Sequence, residues 1–233
     1  MKKKIAAIVS ILAGLFIIMG IFGEVLSFCC LDESFYINEY EKMNTAQDMG
    51  MSHEELMSAT NVLLDYLKDK RDDISLTVHV NGQETEMFDE RETLHMIDVK
   101  ALYLNAITVT RVLFMLGIAA FITLIIMKNT RRQALKGYHT GNLVFLGIIA
   151  VFGIYALIDF TSFWTSFHMI FFTNDLWLLY PYERLIQMVP EQFFSDLVAR
   201  IVILFVICAG IPAGACAIVR ARLKRKGTED GVR

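Results

Sequence analysis

Little in this sequence belongs to a soluble enzyme of a familiar kind. It has no G-x-S-x-G elbow, no H-E-x-x-H pair, no P-loop and no G-x-G-x-x-G opening a helix after a strand, which sets aside the standard serine hydrolases, zincins and phosphate-loop enzymes. It has no excess of positive charge: 22 Lys and Arg stand against 25 Asp and Glu, for a net charge of −3. Without a basic bias the chain does not read as a nucleic-acid binder. Its four cysteines are Cys29 and Cys30, side by side, and Cys208 and Cys216 far along the chain. That is neither a disulfide framework nor a zinc spacing. No internal repeat or low-complexity tract is present, and the length of 233 residues suits one domain or one membrane domain with an insertion.

What the chain has in abundance is apolar surface. Hydrophobic residues make up 55% of it, and the mean hydropathy is +0.47. Four stretches, residues 5–28, 107–127, 143–163 and 198–219, reach the roughly 20 residues that a helix needs to cross a bilayer core. In lipid every backbone polar group must find an internal partner, so these stretches are helices. The first follows Lys2, Lys3 and Lys4 in the manner of a signal peptide. It is too long for an ordinary signal core, however, and bulky Phe28 stands where a lipobox ahead of Cys29 needs a small residue, so it reads as an uncleaved anchor.

Orientation follows from the basic residues. Lys2, Lys3 and Lys4 precede the first helix; Lys128, Arg131, Arg132 and Lys136 fill the second connection; Arg220, Arg222, Lys224, Arg225 and Lys226 close the chain. The positive-inside rule puts all three on the cytoplasmic side. The expected architecture is an α-helical polytopic membrane protein with four transmembrane helices and both termini cytoplasmic. Residues 1–28 hold helix one. Residues 29–105 form a small extracytoplasmic cap, acidic overall, ending in a helix continuous with helix two. Residues 106–163 hold helices two and three with a basic loop between. Residues 164–197 are an outer interfacial loop, and 198–233 hold helix four and a basic tail. Within the cap, Ser52 and Glu55 have capping-box spacing ahead of Leu56, Ala59, Leu63 and Leu67 at helical period. Two alternating segments, 75–80 and 83–88, flank Asn81-Gly82, a strong hairpin signal. From about Glu90 a helix runs on with no Gly or Pro before Gly117.

The outer loop is too aromatic to be fully solvated. Trp164, Phe167, Phe171, Phe172, Trp177 and Tyr180 belong at headgroup level, with Pro181 and Pro190 breaking the segment. The bland reading is an aromatic belt. His168 lies inside it, either as an anchor or as a functional group, since ionisable residues in such surroundings are functional hypotheses. On the helix entering the membrane, Arg91, Glu92, His95 and Asp98 cluster. Glu92–His95 and His95–Asp98 are i,i+3 pairs on one face, either a solvated polar face or an imidazole oriented by a carboxylate. At about 1.5 Å per residue, Glu24, Arg111 and Asp159 lie about 28, 24 and 24 Å above the cytoplasmic ends of their helices. They form a polar layer in which Arg111 is expected to pair with one or both carboxylates, as interhelical glue or as part of a site.

The block FDERETLHMIDVK at residues 88–100 resembles the F..RE..HM.DVK motif of the lipoprotein intramolecular transacylases (Lit), integral membrane proteins of Gram-positive bacteria. Residues 167–194, FHMIFFTNDLWLLYPYERLIQMVPEQFF, resemble the second motif of that family, with Glu183-Arg184 where the family has an Asp ahead of Leu-Ile. The resemblance implies an acyltransferase of the cell membrane, without a cofactor or metal. Its partners are membrane lipid and a diacylated lipoprotein in the outer leaflet, whose sn-2 acyl chain moves from glycerol to the α-amine of the N-terminal cysteine to give the lyso form. It also implies His95 and His168 as catalytic residues. Glu92, Asp98 and Arg91 are expected to support them, and Phe167, Phe171, Phe172, Asn174 and Trp177 to line the substrate path. Two readings stand beside it. A metal-dependent membrane hydrolase would use His95, His168, Asp98 and Glu92 as ligands. A sensor or assembly subunit would use Arg111, Glu24 and Asp159 only as glue.

Overall fold

The structure is a computed structural model and describes residues 2–127 and 129–229. Lys128 and the side chains of Lys2, Lys3, Lys224, Arg225 and Lys226 lie outside the described residues. The elements are helices α1 Lys2–Leu31, α2 Glu33–Met43, α3 Thr45–Asp48 and α4 His53–Leu67; strands β1 Thr77–Val80 and β2 Gln83–Glu86; and helices α5 Glu90–Ile126, α6 Arg131–Ile158, α7 Phe160–Phe171, α8 Arg184–Met188 and α9 Glu191–Glu229. Four of them are long and apolar enough to cross a membrane, over Lys4–Leu31, Glu90–Ile126, Arg131–Ile158 and Glu191–Leu223. The chain divides into two compact units, Met1–Leu26, Ile107–Ile154 and Ile201–Arg233 forming one, Ser27–Ala106 and Tyr155–Arg200 the other.

The first unit is a helical bundle closed by small residues. Ser10 and Gly14 on α1 face Gly137 and Gly141 on α6, each pair one turn apart, the small-x-x-x-small pattern that lets membrane helices approach closely. A Cβ on Gly141 would lie 2.5 Å from the Ile11 carbonyl oxygen and the Leu15 nitrogen, so backbone, not a movable side chain, blocks any larger residue. Buried Asn142 has a partner for each end of its amide. In the orientation that satisfies both, its nitrogen donates to the carbonyls of Gly14 and Tyr138 and its oxygen accepts from the Tyr138 hydroxyl, all at 3.2 Å. Phe22, Phe145 and Phe205 meet edge to face, with centroids 5.3–5.7 Å apart. Arg111 donates to both oxygens of Glu24, at 2.6 and 3.2 Å.

The second unit is built on local caps and one small sheet. Asp32 accepts from Ser34 N at the start of α2. Ser52 and Glu55 form a complete capping box at α4. Strand β1 pairs antiparallel with β2 in the register Val80↔Gln83. The turn between them places Asn81 at φ 52° and Gly82 at φ 77°, positive values that a type I′ turn requires. Tyr40 donates to Thr60 Oγ1 at 2.9 Å, because the Thr60 hydrogen goes to the Leu56 carbonyl, also at 2.9 Å. Leu56, Leu64, Ile74, Val78, Met87 and Phe193 fill the interior.

Three sequence expectations change. Helices α2 and α3 were not anticipated between the first span and Ser52. Helix three does not continue to residue 163: α6 stops at Ile158, and Asp159, extended at φ −151°, begins α7 by accepting from Ser162 N at 3.0 Å and Ser162 Oγ at 2.6 Å. Asp159 is therefore a helix cap and not the partner expected of Arg111, which binds Glu24. The segment 164–197 is mostly helical, holding the rest of α7, α8 and the first turns of α9.

Candidate active site

Two stretches of the second unit bring the histidines together. Helix α5 begins at Asp89, whose side chain accepts from Glu92 N at 2.8 Å while the Glu92 carboxylate accepts from Asp89 N at 2.7 Å, a reciprocal cap. The other oxygen of Glu92 accepts from Leu185 N in the first turn of α8. Glu92 is 2% exposed, and one carboxylate thus ties the starts of two helices. It does not bond His95, although it shares that helix face. The two amide bonds hold the starts together, with no charged partner among the hydrogen bonds of the carboxylate. Asp98 also turns elsewhere: it accepts from Asn174 Nδ2 at 2.8 Å, and Asn174 Oδ1 accepts from Leu176 N at 3.1 Å. The two carboxylates expected to orient His95 instead fasten the segment that follows α7.

His95 and His168 are 7% and 8% exposed, with ring centroids 6.2 Å apart. Phe172 packs against both, at 5.3 Å from His95 and 5.5 Å from His168. Trp177 stacks on His168 at 4.9 Å, and Trp164 meets it edge-on at 4.9 Å. Phe167 touches the His168 ring at 5.6 Å and stacks on Trp164 at 5.3 Å. Phe171 lies against Phe167 at 4.8 Å and is half exposed. Arg91 donates to the Asp175 carbonyl and sits 5.7 Å from the Tyr180 ring centre. The polar-layer residues Glu24 and Arg111 belong to the other unit.

The chemistry of the two rings differs. His168 Nδ1 lies 2.8 Å from the Trp164 carbonyl oxygen. A carbonyl only accepts, so Nδ1 carries the proton and Nε2 keeps its lone pair. Burial pushes the His168 imidazole below its ordinary value, and the Trp164 carbonyl draws it part of the way back. His168 is thus a neutral imidazole with a fixed tautomer. Nδ1 of His95 is buried without a partner. Among the described residues no group of three or more His, Cys, Asp and Glu is placed to hold a metal ion. The sequence offered Trp164 and Tyr180 only as members of the aromatic belt and Glu183 only as a departure from the second motif, none of them as a site residue. Trp164 acts through its backbone, one turn before His168, and Glu183 is a buried acceptor for Tyr180 N; a capping residue so far from an apolar repeat leaves no pattern to read.

The fold has solved counterparts. The membrane-integral lipoprotein intramolecular transacylase Lit from Bacillus cereus superposes with a TM-score of 0.79 at 21% identity, over 96% of this chain and 99% of that one. Variants of the same protein with one histidine changed to arginine or to alanine give TM-scores of 0.74 and 0.73 at 20% and 21% identity, over 98% of this chain and 96% and 97% of theirs. At such identity the likeness establishes the fold. No curated protein matches the chain by sequence. The family model described as lipoprotein intramolecular transacylase Lit matches residues 10–194, which take in both histidine blocks and three of the four apolar helices, and the chain belongs to that family.

Proposed function

We propose that this protein moves the sn-2 acyl chain of a diacylglyceryl-cysteine lipoprotein onto the α-amine of the same cysteine, leaving a lyso-form lipoprotein, and that His95 and His168 carry the protons. One observation supports this most: two buried histidines from distant parts of the chain face each other within an aromatic lining. The basic flanks of the apolar helices support cytoplasmic termini and a site opening to the outer leaflet.

Ester to amide is downhill, so no energy source is needed. Amine and ester belong to one molecule, and holding them in place gives a large effective concentration. The α-amine, with an ordinary pKa of about 7.7–8.0, must lose its proton to attack. In the proposed mechanism Nε2 of His168 takes that proton as the C–N bond forms. The Trp164 carbonyl steadies the resulting imidazolium through Nδ1. Because burial disfavours that imidazolium, it gives the proton up readily. The proton passes by way of His95, whose two ring nitrogens can release one proton as they take another, to the glycerol oxygen as the C–O bond breaks. No acyl-enzyme forms. Phe167, Phe171, Phe172 and Trp177 line the acyl-chain path.

The test is mass spectrometry of the N-terminal lipopeptide of a reporter lipoprotein, from cells lacking other N-acylating enzymes and expressing either the wild type or His168→Ala. The expected result is an N-acylated, monoacylglyceryl peptide with the wild type and a free-amine diacylglyceryl peptide with the variant. A folded wild type that leaves the diacylglyceryl form untouched would overturn the proposal.

A further inference from the structure

Amine attack on an ester carbonyl moves two electron pairs. The nitrogen lone pair forms the C–N bond, and the carbonyl π pair moves onto oxygen as a full negative charge. That pair then returns, and the bond to the glycerol oxygen breaks with its electrons, to be protonated there. The two histidines account for the protons and leave the carbonyl oxygen without a donor. A fixed donor aimed at such an oxyanion is commonly the largest single contribution to acyl transfer.

The second unit holds one. Arg91 Nε is buried and has no hydrogen-bond partner, as is Nδ1 of His95, and the two residues stand four apart, on the same side of α5. The histidine can change tautomer. The guanidinium cannot deprotonate, so Arg91 Nε is always a donor. The side chain is held in place, because another nitrogen, Nη2, donates to the Asp175 carbonyl and the Tyr180 ring lies at 5.7 Å. That same stretch of chain carries Trp177, which stacks on His168. The other polar side chains nearby are committed: Asn174 Nδ2 donates to Asp98, and Glu92 accepts from two backbone amides.

Resting on the transacylase reading above, we propose that Arg91 is a catalytic residue whose Nε–H binds the oxyanion of the tetrahedral intermediate. With donors only and no acceptor, it serves the oxyanion without entering the proton traffic.

The experiment uses the purified full-length protein and a synthetic diacylglyceryl-cysteine lipopeptide with a free amine, comparing wild type, Arg91→Lys and Arg91→Ala. Arg91→Ala should lower kcat about 10²–10³-fold, the usual cost of one oxyanion donor, with KM little changed. Arg91→Lys should recover little, because an ammonium lacks the guanidinium fork. Added ethylguanidinium should restore Arg91→Ala saturably, and ethylamine should not. If Arg91→Lys, which can still donate to the Asp175 carbonyl, keeps wild-type kcat, the proposal falls. It also falls if the loss is in KM alone, or if ethylguanidinium gives no rescue while hydrogen exchange rises across residues 172–183, since Arg91 would then only hold that segment. A wild type inactive on the lipopeptide overturns the transacylase reading itself; an active wild type with unimpaired Arg91→Ala overturns only the role of the arginine.

Discussion

The two compact units differ in the buried polar groups they leave without a partner. In the unit containing the starts of α1 and α6, Asn142 has a partner for each end of its amide and Ser10 Oγ donates to the Ala6 carbonyl at 2.6 Å. In the other unit lie all three buried, unpartnered side-chain nitrogens found among the described residues: Arg91 Nε, His95 Nδ1 and Arg200 Nη1. Satisfied polarity fixes how helices pack. Unsatisfied polarity weakens a fold and persists where a substrate completes it. The contrast separates the part of the chain that holds shape from the part proposed to do chemistry.

The largest effects should come from the histidines. His95→Ala and His168→Ala should each lower kcat about 10²–10⁴-fold, and the double variant should lose little more than the worse single one, because the pair acts as a unit. Additive losses, read by the lipopeptide assay, would mean two independent roles. The pH profile sharpens the same point. In the proposed mechanism His168 works as a neutral ring, and burial lowers its proton affinity, so its protonation should cut kcat/KM only below the ordinary 6.5. Between that point and about 8 the decline with falling pH should follow the substrate amine alone. A histidine limb above 6.5 would contradict the buried ring.

Glu92→Ala should come next, because two backbone amides lose their acceptor at about 1–3 kcal/mol each. Thermal unfolding should show a clear drop, with Glu92→Gln intermediate. If Glu92→Gln keeps full stability but loses activity, Glu92 is an acid–base group and not a clamp. In the bundle, Gly141→Val should cost about 1–3 kcal/mol or more, as overpacking does, and leave kcat per folded molecule unchanged. A loss of kcat with normal stability would end the division of labour between the units. The smallest effect belongs to Asp159. Asp159→Ala should cost about 1 kcal/mol as a lost cap, with Asp159→Asn nearly neutral. If Asn is as damaging as Ala, the charge matters and the capping account is wrong.

The sequence showed what repeats or punctuates. Four apolar runs, a helix unbroken from Glu90, the Ser52–Glu55 box and the Asn81-Gly82 turn all carry local signals, and each has its element in the structure. What it hid depends on partners far along the chain. Glu92 and His95 share a helix face, so pairing them was reasonable. Only the start of α8, at Leu185, shows why the carboxylate is already spent. Asp159 escaped because an apolar window averages over a change of helix when no Pro or Gly marks the break. Arg111 has a carboxylate partner in Glu24, at hydrogen-bond distance, while the carboxylate of Asp159 is spent on Ser162 at the start of α7.

The chain has only two tryptophans, and one lends His168 a carbonyl while the other stacks on its ring. Light absorbed by indole is therefore absorbed beside the proposed base and nowhere else in the molecule. Since an imidazolium quenches a neighbouring indole more strongly than an imidazole does, emission from the unlabelled protein should follow the charge of His168 directly. An acyl chain displacing water from the two indoles should shift that emission to the blue before any bond is made, giving an optical record of occupancy separate from turnover.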